Sequence, residues 1–178
     1  MKDEPKICEQ GLEEFPKSQI ILGNFMMLLW IALGTAACWF LYPIAAWIYL
    51  PVALLMVFVV LRWLVCRNCY YFGKWCPIGW GKLSALLFEQ GSIEKFSKSL
   101  GVKLAPITYG MLSLIPLILV IIALVKDFTV PKLVILILLL LVSGYSAVGN
   151  RKKSCANCKM RTICPGSAAR RADESASC

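Results

Sequence analysis

Four uninterrupted apolar blocks decide what this chain can become: Ile20 to Leu41, Ile44 to Val65, Ile107 to Val125, and about Leu133 to Gly149, with Val130 as an alternative start for the last. Each approaches the roughly 20 residues that a helix rising 1.5 Å per residue needs to cross about 30 Å of hydrocarbon. Inside a bilayer no water satisfies backbone N–H and C=O groups, so blocks of this length must be helices. The chain is 178 residues long and 59% hydrophobic, above the half or so of an ordinary soluble domain. The expected fold class is therefore all-α: a polytopic membrane protein with four transmembrane helices.

Residues 1–19 form a polar N-terminal segment whose acidic residues (Asp3, Glu4, Glu9, Glu13, Glu14) stand where a signal peptide would need a basic stretch, so the first block is expected to stay in the protein. Residues 20–65 are expected to form a helical hairpin, because only Tyr42-Pro43 joins the first two blocks and proline cannot continue a helix. Trp39, Phe40, Tyr42, Trp47 and Tyr49 gather around that turn, as amphipathic rings do at a headgroup layer. Pro51 and Pro116 fall inside blocks two and three and predict kinks.

Lysine and arginine fix the expected orientation. One side holds three in 1–19, seven in 62–106 and seven after Gly149, while the other holds only Lys126 and Lys132. By the positive-inside rule the side with seventeen is cytoplasmic, and both termini with it. No charged side chain lies well inside any block, which disfavours an ion or proton pathway. Histidine is absent, so histidine-ligated haem is not expected.

The expected cytoplasmic side has two parts, residues 66–106 between helices two and three, and the tail 150–178 after helices three and four (107–149). The second half of the 66–106 segment predicts two short amphipathic helices. Trp80, Leu83, Leu86 and Leu87 carry the first, and Ser92 caps a second through Ile93, Phe96 and Leu100. Lys95, Lys98 and Lys103 would face anionic lipid headgroups if these helices lie in the interface; equally, the helices could simply cap the bundle. The net charge of +9 is spread along the membrane surface and no nucleic-acid-binding module is present, so nucleic acid is not an expected partner.

Six of the nine cysteines make two triplets of nearly one formula: Cys66-Arg-Asn-Cys69 followed by Cys76-Pro77, and Cys155-Ala-Asn-Cys158 followed by Cys164-Pro165. Cytoplasmic thiols are normally reduced, and a Cys-x-x-Cys turn offers two thiolates to one metal ion. Cys66, Cys69, Cys76, Cys155, Cys158 and Cys164 are therefore the candidate metal ligands. Two Cys-x-x-Cys pairs match a tetrahedral zinc site. Proline after the last cysteine is a feature of iron–sulfur ligation, which also takes four thiolates. Spacing does not choose between zinc and an iron–sulfur cluster. Tyr70, Tyr71, Phe72, Trp75 and Trp80 are expected to shield the site, whereas Cys8, Cys38 and Cys178 are not assigned as ligands.

The segment Gly73-Lys-Trp-Cys76-Pro77-Ile-Gly79-Trp80 resembles the Cys-Pro-x-Gly segment of membrane-bound ferredoxin-like subunits of quinol dehydrogenases, which also carry four membrane helices. The resemblance covers about ten residues and the topology, and this chain lacks the family's Cys-x-x-x-Cys-Pro spacing. It implies electron transfer at the cytoplasmic face of a prokaryotic plasma membrane, by an accessory subunit working beside other membrane subunits. The competing expectation is a non-enzymatic scaffold whose cysteines hold a structural zinc. Were the orientation inverted, thiol–disulfide redox chemistry would become the third.

Overall fold

The computed structural model describes residues 7–169. Among these residues there is helix and no strand. Four helices are long and apolar enough to cross a membrane: α1 (Lys17–Trp39), α2 (Pro43–Cys66), α4 (Leu100–Lys126) and α5 (Val130–Ala156). A short helix, α3 (Trp80–Leu87), lies between α2 and α4.

Pro43 starts α2 at its first turn, where a missing N–H costs nothing, and the tight connection makes α1 and α2 antiparallel neighbours. Small residues let them close. A Cβ on Gly34 would collide with the Tyr49 side chain, and buried Ala37, Ala46 and Ala53 line the same seam. Without a hydrophobic force between helices in lipid, such close backbone approach is what packing relies on. The Tyr49 hydroxyl crosses the seam and donates to the Leu112 carbonyl at 2.9 Å, so α2 is also pinned to α4. At the turn end of the bundle, buried Lys132 donates from Nζ to the Asp127 carbonyl at 2.8 Å and its carboxylate at 3.0 Å. That contact ties the start of α5 to the chain just leaving α4.

Helix boundaries differ from the expected ones in three places. α4 starts at Leu100 instead of Ile107, because Gly101 lets the helix rest directly on Leu64 of α2; an added Cβ would lie 2.5 Å from the Leu64 Cβ. The second amphipathic helix, expected after Ser92, is only a 3₁₀ turn at Ile93–Lys95. Phe96 is drawn into a buried cluster with Val102 and Met160, and that packing overrides the helical spacing. α5 runs past Gly149 to Ala156, through a π-helical stretch at Tyr145–Asn150. The C-terminal half of α2 is likewise wound loosely, π-helical over Leu55–Val60 and Arg62–Cys66.

Candidate metal centre

Both triplets lie at the same end of the bundle, held by three chain segments that interlock there. The N-terminal strap crosses over the tail and the central loop: the Cys8 N–H donates to the Lys159 carbonyl at 3.0 Å, Leu12 to Asn157 at 2.9 Å and Phe15 to Trp75 at 2.9 Å. Tyr71 joins all three. Its hydroxyl donates to the Leu12 carbonyl at 2.7 Å and accepts the Lys159 N–H at 3.1 Å, and it also reaches Cys158. Of the five aromatics expected to shield the site, only Tyr71 is fully buried.

The two triplets fold alike. In each Cys-x-x-Cys, the second cysteine's N–H donates to the first one's carbonyl, Cys69 to Cys66 at 3.2 Å and Cys158 to Cys155 at 3.2 Å. Each second cysteine then accepts from three residues on, from Phe72 at 3.1 Å and from Arg161 at 3.1 Å. Each Cys-Pro opens another turn, closed by Gly79 to Cys76 at 2.8 Å and by Ser167 to Cys164 at 3.1 Å. Proline's fixed φ suits the second position of such a turn. The likeness extends upstream to an arginine four residues before each first cysteine, Arg62 and Arg151. Cys66 and Cys155 sit at or near the last turns of α2 and α5.

Two glycines make the first triplet's loop compact. Gly79 has φ +76°, a left-handed conformation that only glycine adopts cheaply, and it redirects the chain into α3. Gly81 accepts from the Gly73 N–H at 3.0 Å, and a Cβ there would overlap the carbonyl oxygens of Tyr71 and Lys74. α3 is thereby pressed against the loop.

The triplets meet at their second cysteines. Cys69, Cys158 and Cys164 pack against one buried cluster of Phe96, Val102 and Met160, and Cys69 interacts electrostatically with Cys66, Cys76 and Cys158. Cys66 faces Cys76, while Cys158 faces Cys155 and Cys164. None of the six is in a disulfide. Among the described residues no three thiol or carboxylate groups stand arranged to hold a metal ion between them. Burial pushes the Cys69 thiol well up and the Cys158 thiol up to about 11. As arranged, these two are neutral thiols.

Of the other cysteines, Cys38 is buried in α1 as a free thiol, and Cys178 lies outside the described residues. Cys8 is fully buried under the tail and is disulfide-bonded.

Glu13 supplies the main charge contacts at this end. Its carboxylate pairs with Lys159, with Lys74 at 3.2 Å and with the Tyr70 hydroxyl at 2.8 Å. Hydrogen bonds, from Lys159 first and then Tyr70 and Lys74, hold its pKa at about 2. Glu13, Lys159, Arg62 and Ser84 are parts of the site that sequence reasoning did not single out. Glu13 and Lys159 are 146 residues apart, and only the arginine repeated before each triplet offered a signal.

No protein-family model, curated protein or solved structure matches this chain.

Proposed function

We propose that this membrane protein binds a metal through the cysteines of its two triplets. The observation that supports the reading most is that two segments 79 or more residues apart in sequence fold into the same succession of cysteine turns and pack against one buried cluster. Cys66, Cys69, Cys76, Cys155, Cys158 and Cys164 supply the donors. The donor chemistry fits a soft or borderline metal, because thiolate selects zinc and iron–sulfur clusters. The buried thiols give up protons on binding, and their sulfurs turn toward a common point. In the preferred orientation the site faces the reducing cytoplasm, and anionic headgroups lie against the basic residues around it.

Within this reading the protein is an accessory electron-transfer subunit or a scaffold whose metal ties α2 to α5. Metal analysis of anaerobically purified protein, with its visible spectrum, separates the two. Brown protein with iron and labile sulfide identifies the redox centre, and colourless protein with stoichiometric zinc identifies the scaffold. Protein that holds no metal and takes none up refutes both.

One observation favours a second reading. The Cys8 disulfide belongs to an oxidising compartment, which would place this end of the bundle outside and give the triplets thiol–disulfide chemistry.

A further inference from the structure

Arg62 and Ser84 are buried polar groups with no evident use in the fold. Arg62 is 7% exposed and Ser84 1%. Neither Nε of Arg62 nor Oγ of Ser84 has a hydrogen-bond partner. A buried donor left unpaired costs about 1–3 kcal/mol, so two of them side by side call for an acceptor.

Their placement names that acceptor. Arg62 and Cys66 are four residues apart on α2, and Trp80 and Ser84 are four apart on α3, so each pair shares one helix face. The two faces meet. The Arg62 guanidinium stacks over the Trp80 ring with 4.8 Å to its centroid, and the next turn brings the Ser84 hydroxyl beside the Cys66 sulfur. Trp80 is itself fixed, donating from Nε1 to Asn24 at 3.1 Å and packing 4.9 Å from the Phe58 ring. Arg62 donates a weak hydrogen bond from Nη2 to the Met27 sulfur at 3.6 Å and also reaches Cys66. The corresponding arginine of the second triplet, Arg151, is exposed and donates to the Gly166 carbonyl. Cys66 therefore has a buried guanidinium and a buried hydroxyl beside it, whereas the matching arginine of the second triplet lies exposed.

We infer that Arg62 and Ser84 are positioning residues that donate hydrogen bonds to Cys66 when its sulfur is a metal-bound thiolate. A neutral thiol is a weak acceptor and satisfies these donors poorly. A metal-bound thiolate carries negative charge and accepts both, and the guanidinium offsets part of the charge that four thiolates bring to a divalent ion. Cys66 is thereby the ligand whose bond to the metal the protein tunes, as outer partners do at other metal sites. The inference rests on the proposed metal binding and adds the residues that regulate it.

Cobalt(II) tests it, because thiolate ligation gives the ion intense sulfur-to-metal absorption whatever the native metal is. Reduced full-length protein in detergent, Ser84→Ala, Arg62→Gln and Arg62→Lys are titrated anaerobically with cobalt(II). Ser84→Ala and Arg62→Gln are expected to weaken binding by about 10–100-fold. They should also move the charge-transfer band to lower energy, since losing a hydrogen bond raises the sulfur lone pair. The ligand-field bands, which report coordination geometry, stay in place. Arg62→Lys keeps the charge and recovers part of the affinity. If the parent protein shows no charge-transfer band, metal binding fails and the inference with it. If the parent binds but Ser84→Ala keeps both its affinity and its band position, the positioning role is wrong and metal binding stands. Ser84→Ala removes one atom from a neutral side chain, so it decides the question even where Arg62→Gln fails to fold.

Discussion

Tyr71 and Glu13 do the same job by different means, each joining the strap, the central loop and the tail. Replacing Tyr71 with phenylalanine keeps the ring but strands the Lys159 N–H, a buried donor, so a loss of about 1–3 kcal/mol is expected. Denaturant unfolding of detergent-solubilised protein measures it, and an unchanged midpoint would show that the hydroxyl holds nothing. Glu13 makes the strap pH-sensitive. Its folded pKa, about 2, lies below its ordinary 4.5, so its contribution is complete above about pH 4.5 and is lost as the pH falls toward about 2. Acidification through that window should expose the strap to an acid-active protease, and Glu13→Gln should expose it already at neutral pH. A variant as resistant as the parent at pH 7 would remove Glu13 from the clasp. Neither contact was legible in the sequence. Glu13 is one of several acidic residues in a polar segment, and nothing local marks it as the one facing Lys159. Tyr71 was legible only as one aromatic among five.

The helices themselves were the readable part, because a bilayer demands long apolar blocks and the chain has four. Their ends were less readable, since what extends them is not hydropathy. α4 gains about two turns at its start because Gly101 can rest on Leu64, and α5 continues through polar residues into the second triplet. The expected helix after Ser92 failed because burying Phe96 was worth more than continuing a regular turn. α3 was foreseen, but not what holds it down. Gly81→Ala should force α3 off the carbonyls of Tyr71 and Lys74, at about 1–3 kcal/mol for overpacking. Gly73→Ala is the control, since its φ is +76° but no atom lies within 4 Å of an added Cβ, leaving only about 1–2 kcal/mol of backbone strain. Thermal unfolding that ranks both alike, with unchanged cobalt affinity, would mean that α3 does not depend on this contact.

At the scale of the whole molecule the bundle is uneven. α5 is the outlying span, with only 6% of its most apolar stretch buried, yet it delivers half of the candidate ligands. A metal shared between the triplets would therefore clamp the least-packed helix to α2, and binding energy at such a site is folding energy. Chelation is expected to lower the midpoint of thermal unfolding and to free the 151–169 tail for proteolysis; a midpoint indifferent to chelator would separate the metal from the fold. Membrane-impermeant thiol reagents applied to intact cells should leave all six triplet cysteines unlabelled, and labelling from outside would favour the disulfide reading. The thiols are brought near one another without converging, and the winding of the helices that carry them bears on this. Arg62–Cys66 and Tyr145–Asn150 each complete a turn with more residues than an α-helix uses. One residue is worth about 100° of rotation. Rewinding either segment would swing its first cysteine around the helix axis while the apolar body kept its depth in lipid, so the ligands have a dial that the membrane does not resist.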